Sequence, residues 1–410
     1  MGSEHAAGSG ALKDNIMVQR KITLGTLNIS QQGKDYVNIA LDENRLSSGF
    51  FTQKFEDRFS MMHGSRYGIF CNSGTSALQI ALAALKEVHG YQDGDEVLVP
   101  ATTFIATSNI VIQNGMKPVF VDVDPLTFNM DPTKIVEKIT NKTRCIIPVH
   151  LFGLPADMIA IQARAKAFGL QIIEDSCETM FAKQNYLPVG GWGDLACFST
   201  YVAHLIVGGV GGVVTTSDPK LESLCRSLMA HGRDSIYTNI DQDDTDDAKL
   251  RRQMIERRYR FERVGYSYRA TELEAAIALS ELERWEVNIS TRRHNAWLLS
   301  QLLDGVDQLQ LPFIPEGMTH SFMMYPMVLK PGYDRDSLLM HLEENGIETR
   351  YLFPLLDQPV YQKLFPGEAE KYPVAQYLSK QGFFIGMHQG LTIDDISYVS
   401  AVIHKYFREL

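Results

Sequence analysis

Residues 197–212 read Cys-Phe-Ser-Thr-Tyr-Val-Ala-His-Leu-Ile-Val-Gly-Gly-Val-Gly-Gly, and from Leu195 to Ser217 no residue carries a formal charge. One imidazole, His204, stands inside this run. Three readings compete: a membrane span, a buried strand pair with a structural histidine, or the floor of an active site. Length alone admits the first, because roughly 20 apolar residues cross a bilayer. The composition opposes it. Gly208-Gly209 and Gly211-Gly212 interrupt the run, Ser and Thr dilute it, and Asp194 and Asp218 stand at its edges without a basic flank to anchor it. The sequence therefore points away from the membrane.

Outward from this run, short β-branched stretches alternate with helical ones. Val119–Val123, Cys145–Val149 and Gln171–Glu174 read as strands, as does Glu96–Pro100. Asp157–Phe168 reads as a helix, and an Ala- and Leu-rich helix runs from about Thr75 to Glu87. Phe55, Phe59 and Met62 give a short helix from Thr52 to Met62. Such alternation predicts a mainly parallel sheet covered by helices on both faces. Gly208–Thr216 would be a later strand of that sheet. Residues 15–46 have no long period.

The bulk numbers agree with a large globular protein. The chain has 410 residues, of which 45% are hydrophobic, enough for two domains with full cores. A net charge of −10 gives no footprint for nucleic acid. The five cysteines Cys71, Cys145, Cys177, Cys197 and Cys225 have no metal-binding spacing, and reduced thiols of this kind suit a cytoplasmic protein. No metal site is expected. The start, MGSEHAAGSG, lacks an apolar signal core and reads as a mobile tail.

Residues 238–263 change character. Asp241, Asp243, Asp244, Asp246 and Asp247 precede Arg251, Arg252, Arg257, Arg258, Arg260 and Arg263. This is a solvated face or a basic rim for a diphosphate. A long helix is expected from Thr271 to Val287, with Leu273, Ala276, Leu279 and Leu282 on one side. Beyond it, Met324–Leu329 reads as a strand, and Arg335–Glu344 and Ile393–Phe407 read as helices. The expected division is 1–45 tail and arm, 46–288 large domain, and 289–410 small C-terminal α+β domain.

Three features carry chemistry. Asn72-Ser73-Gly74-Thr75-Ser76 precedes a helix, so Gly74 permits close backbone approach and the amides of Thr75 and Ser76 favour an anion such as phosphate. The same residues also make an ordinary helix cap. Glu174-Asp175 follows an apolar strand, where carboxylates point into the ligand crevice of α/β proteins. Asp175 could pair with a protonated ring nitrogen, and Glu178 could face the same crevice. Phe104 follows another strand end and could stack on an aromatic cofactor or belong to the core.

Together with Ser199 and position 204, these residues occur in a familiar order. The stretches CNSGTSALQIAL, VPATTFIATSNIVIQNGMKPVFVDVD, PVHLFGLPADM, IIEDSCETM, CFSTYVAH with GGVGG, GYSYRATELEAAIAL and GIETR resemble the DegT/DnrJ/EryC1/StrS sugar aminotransferases of fold type I. The resemblance covers about residues 45–350. It implies a three-layer α/β fold and pyridoxal or pyridoxamine 5'-phosphate as cofactor. It further implies a homodimer with shared active sites, a nucleotide-sugar substrate, and glutamate as amino donor. Thr75, Ser76 and Ser199 would bind the cofactor phosphate, with Gly74 admitting it. Phe104 would stack on the ring, and Asp175 would hold the ring nitrogen protonated. Ser267 stands where such families often carry an Asn that reaches the partner's phosphate.

The departure is at 204. The family's usual residue is the lysine that holds the cofactor covalently; this chain has His204. Imidazole cannot form a Schiff base, so cofactor binding would be non-covalent, yet it can move a proton near neutral pH. Histidine here, with Glu178 three residues after the ring aspartate, is similar to the nucleotide-sugar 3-dehydratase branch acting on 4-keto-6-deoxy sugars. Without a lysine to recapture the cofactor, loss of the neighbouring hydroxyl is favoured over amino transfer. The resemblance would place the chain in deoxysugar or lipopolysaccharide biosynthesis, with His204 and Glu178 as catalytic residues. A second histidine branch, acting on CDP-sugars, needs an iron–sulfur cluster, and its clustered cysteines are missing. An aminotransferase that works without the lysine, and a non-catalytic cofactor-binding relative, are the alternatives.

Overall fold

The computed structural model describes residues 20–234, 247–257 and 259–410. The N-terminal tail to residue 19, the aspartates 241–246 and Arg258 lie outside the described residues. The chain begins with α1 (Gln31–Asp42), α2 (Phe50–Met62), β1 (Tyr67–Cys71), α3 (Gly74–His89), β2 (Glu96–Pro100), α4 (Ile105–Gln113) and β3 (Lys117–Val121). It continues with β4 (Thr143–Ile146), α5 (Met158–Phe168), β5 (Gln171–Asp175), a two-stranded hairpin of β6 (Lys183–Gln184) and β7 (Leu187–Pro188), then β8 (Leu195–Ser199) and β9 (Gly212–Thr216). Next come α6 (Pro219–Met229), α7 (Ala248–Arg257), α8 (Glu272–Leu282) and α9 (Trp285–Leu302). The last part holds β10 (Leu309–Gln310), β11 (Met324–Leu329), α10 (Arg335–Glu344), β12 (Thr349–Tyr351), α11 (Pro359–Leu364), α12 (Pro373–Gln381), β13 (Gly382–Gly386) and α13 (Ile393–Glu409).

Seven strands form one sheet in the order β1-β9-β8-β5-β4-β2-β3. The links β5–β8, β4–β5, β2–β4 and β2–β3 are parallel, and β9 runs antiparallel to both its neighbours. Residues of β2, β8 and β9 are buried throughout, as expected for strands covered on both faces. A second, antiparallel sheet has the order β10-β11-β13-β12. The fold is therefore α/β with a mainly parallel large sheet and a smaller antiparallel C-terminal one.

Three expectations need correction. The uncharged run is a strand, a loop and a strand: β8 and β9 are separated by the loop Thr200–Gly211, and the second strand starts at Gly212 rather than Gly208. The single helix expected over 271–287 is two, because the chain turns at Glu283 and Arg284. Glu283 is drawn to Gln32, Tyr36 and Arg58, and Arg284 folds back on Glu281 at 2.7 Å. Residues 31–42, which show no long period, form α1, which packs on α8 through Gly33: a Cβ there would come 2.7 Å from Ser280 Oγ. No described helix is long and apolar enough to cross a membrane.

Candidate active site

The parallel strands end at one edge of the sheet, and the candidate residues sit at those ends or just beyond them. Ser73 caps α3: its Oγ accepts from the Ser76 amide at 3.1 Å and donates to Ser76 Oγ at 2.9 Å. The Gly74 and Thr75 amides belong to the first helical turn and have no intrahelical acceptor. Glycine is required at two places here. A Cβ on Gly74 would lie 2.8 Å from Ser199 Cβ and 2.7 Å from Cys177 Sγ, and one on Gly212 would lie 2.3 Å from Ser73 O. The α3 N-terminus, the end of β8 and the start of β9 are thus pressed together by backbone contact. The resulting cluster of amides and hydroxyls could hold a phosphate.

Asp175 is the last residue of β5 rather than the residue after it, and it is buried. Its carboxylate accepts from Thr107 Oγ1 at 2.7 Å and from the Cys177 amide at 3.2 Å. Thr103, one turn earlier, lies 2.9 Å from Thr107 by their hydroxyls. Burial pushes the Asp175 pKa up, and the Thr107 and Cys177 bonds oppose it. A cationic ring nitrogen would reverse the shift. Glu178 is also buried and accepts one bond, from the Phe152 amide at 3.0 Å. Burial raises its pKa to about 8, with the Asp175 charge acting in the same direction. Phe104, at the start of α4, is 56% exposed and meets Phe353 edge-on at 6.2 Å, so it is not a core residue.

His204 lies on the β8–β9 loop. The loop is closed by the Gly208 amide on Thr200 O at 2.9 Å, and the His204 amide bonds Tyr201 O at 2.9 Å. His204 Nδ1 is buried and has no hydrogen-bond partner among the described residues. Desolvation lowers the imidazole pKa to about 4; backbone groups of Cys177 and Ser199 oppose this and the Arg292 charge adds to it. The ring is neutral at pH 7, with an unused lone pair or proton.

These groups share one cavity of about 400 Å³, a size suited to a small organic ligand. Gly74, Thr75, Phe104, Asp175, Glu178, Ser199 and His204 all line it, and the lining includes no Lys or Arg among the described residues. An apolar part of the lining is made by Leu24, Met323, Met324, Phe353 and Phe384. Ser76 is buried behind the α3 turn, and Ser267 does not join the cavity either. Ser267 is exposed, and its Oγ accepts from Arg269 at 3.3 Å. Of the described arginines expected at a basic rim, Arg252 pairs with Glu256, Arg260 with Glu262, and Arg263 with Glu87, which is a solvated face. No group of three or more described His, Cys, Asp or Glu residues could hold a metal ion.

Sequence reasoning missed several lining residues. Thr103, and Thr107 which supports Asp175 from outside the lining, had a signal, being four apart at the start of a helix after a strand end. Asn72, whose Oδ1 is buried without a partner, stood inside the quoted turn. Leu24, Met323 and Phe353 had none: they reach the cavity from distant parts of the chain. Phe353 does so with a φ of +30°, a conformation uncommon outside glycine.

Comparison with known proteins fits this geometry. GDP-perosamine synthase of Caulobacter vibrioides is 34% identical over 390 residues, covering 94% of this chain and 98% of its own. The GDP-perosamine synthase of Escherichia coli O157:H7 is 32% identical, covering 92% and 96%. Among solved structures, E coli GDP-4-keto-6-deoxy-D-mannose-3-dehydratase with bound hydrated PLP superposes with a TM-score of 0.84 at 26% identity, covering 93% of this chain and 99% of that one. The model of the DegT/DnrJ/EryC1/StrS aminotransferase family matches residues 28–404, and the chain belongs to that family.

Proposed function

We propose that this chain is a nucleotide-sugar 3-dehydratase acting on a 4-keto-6-deoxy sugar, using non-covalent pyridoxal or pyridoxamine 5'-phosphate and His204 as base. The observation that carries this reading is the neutral His204 on the cavity floor, with Nδ1 unpartnered and no lysine among the described lining residues. The residues present fit the cofactor: an unsatisfied amide turn for its phosphate, a buried carboxylate for its ring nitrogen and a half-exposed Phe for its ring face.

When bound, the cofactor supplies an electron sink through which a hydroxyl can leave the sugar. The chain's own groups do the rest. Gly74 and Thr75 amides, with the Ser199 hydroxyl, bind the phosphate. Asp175 holds a proton on the ring nitrogen, and Thr107 orients Asp175. The His204 imidazole takes a proton and can return it to the departing oxygen. Glu178, protonated at neutral pH, can donate to the substrate. Ser267, exposed and away from this cavity, would serve the site of a second copy in a homodimer. Glutamate would restore the amino form of the cofactor. Five unpaired cysteines suit a reducing cytoplasm. The large and small domains divide near 288, within α9, which both would share.

The experiment is turnover of purified protein with pyridoxamine phosphate, glutamate and a panel of 4-keto nucleotide sugars. Ammonia and a 3-deoxy product are expected; a stable 4-amino sugar would sink the proposal. That second outcome, amino transfer, is the reading favoured by the names of the perosamine synthase relatives. Borohydride separates them independently, since a covalently trapped cofactor on a lysine contradicts non-covalent binding.

A further inference from the structure

The apolar side of the cavity is held in place by a buried cation. Arg292, on α9, is 2% exposed. Its Nη1 donates to three carbonyls, Phe322 O at 3.2 Å, Met323 O at 3.1 Å and Met387 O at 3.0 Å, and its Nε donates to Gln389 Oε1 at 3.1 Å. No described carboxylate lies within ion-pair distance of it. Glu281 acts only from farther away and is itself paired with Arg284 at 2.7 Å. Burial pushes the Arg292 pKa down to about 9, so the guanidinium stays charged at neutral pH.

An ion buried among neutral acceptors is an expensive feature, and an apolar side chain of similar volume would often stabilise the fold more. What Arg292 does instead is geometric. Met324 of β11 pairs with Gly386 of β13, and the acceptors of Arg292 lie just before β11 and just after β13. The fork therefore closes the end of this strand pair that faces the cavity. Met323, Met324 and Phe384 line the cavity from that pair. Leu24 rests on the same end, since a Cβ on Gly386 would lie 2.9 Å from Leu24 Cα.

We propose that Arg292 is a positioning residue that fixes the Leu24–Met323–Met324–Phe384 wall of the cavity, and thereby the pose of the sugar. The inference rests on the proposed dehydratase function, in which the polar floor holds the cofactor and the wall side receives substrate. Glutamate, small and charged, does not need the wall. Lysine in place of Arg292 keeps the charge but not the fork.

The test uses the full chain with Arg292→Lys and Arg292→Gln, and with Gln389→Leu as a milder variant that leaves the carbonyl contacts intact. The first measurement needs no substrate: methyl NMR of protein carrying labelled methionine, with Met323 and Met324 assigned by Met→Leu substitution. The two wall methyls are expected to shift in all three variants while methyls far from the wall stay put. The second measures the half-reactions separately. KM for the nucleotide sugar should rise about tenfold or more in Arg292→Lys, with a smaller change in kcat, while the glutamate half-reaction changes by less than about twofold. Unmoved wall methyls overturn the proposal whatever the substrate proves to be. Equal loss in both half-reactions, or shifts spread over all methionines, overturns it in favour of a general folding role. A failed search for any sugar substrate breaks the dehydratase reading, and the NMR result then stands alone.

Discussion

A buried histidine–carboxylate pair at the end of β5 and the two titratable groups His204 and Glu178 that line the cavity behave oppositely. His150 Nε2 meets Glu174 Oε2 at 3.0 Å, and both side chains are fully buried. His150 Nδ1 accepts from the Ala156 amide at 2.9 Å, and Glu174 also accepts from the amides of Gly190, Trp192 and Gly193. Every bonding capacity there is used. His204 and Glu178, by contrast, face the cavity with Nδ1 unpartnered and with one backbone bond respectively. Saturated polar groups anchor a fold; groups with capacity left over are available to a ligand. Asp175 stands between, its backbone bonded to His150 and Pro148 and its carboxylate in the cavity. The first pair thus holds the strand end from which the second group works.

Substitution at each pair tests that contrast. His204→Asn should lower sugar turnover by about 10³-fold, the scale of lost general acid–base catalysis, while cofactor binding, followed by absorbance, persists. A variant that keeps near-normal turnover would remove His204 from the mechanism. His150→Phe should instead destabilise the protein by ~2–3 kcal/mol, since it leaves a buried carboxylate short of a bond. Denaturant unfolding checks this, and the pH profile of the residual folded enzyme should be unchanged.

The pH dependence sharpens the comparison further. Activity requiring neutral His204 and protonated Glu178 should fall below about pH 4 and above about pH 8, by about tenfold per unit on each limb. Glu178→Gln should erase the alkaline limb. Stability follows the same groups with a defined sign. The folded His204 pKa is depressed, so stability is lost as pH falls from about 6.5 toward 4. The folded Glu178 pKa is raised, so the folded state holds the extra proton and stability declines as pH rises from about 4.5 to 8. Thermal unfolding of the cofactor-free protein across pH reads both slopes. The smallest effect is expected away from these groups: Arg252→Ala, which loses its exposed contact to Glu256, should cost only about 0.5 kcal/mol.

The polar floor is legible in the sequence because it is built from local segments. A strand end followed by a turn and a helix places Gly74 and Thr75, and a strand end alone places Asp175; both follow from chain direction in a parallel sheet. The uncharged run from Leu195 to Ser217 reads as two strands about a loop, although its glycines do not show that the second strand waits until Gly212. Helix α1 is hidden because its two buried residues, Gly33 and Ala40, are small, with Tyr36 and Val37 only partly buried beside them. The helix expected over 271–287 is too long because its apolar spacing runs on past a turn made by the partners of Glu283 and Arg284.

By itself, then, the sequence determined the fold class, the order of the floor residues and the exchange of histidine for lysine, since each depends on identity and on neighbours a few positions apart. The tertiary structure alone decided that His204 Nδ1 is left unpartnered, that burial lifts Glu178 to about 8, and that Arg292 closes the wall through Phe322, Met323 and Met387. Those properties come from desolvation and from contacts between residues far apart in the chain, which no local pattern encodes.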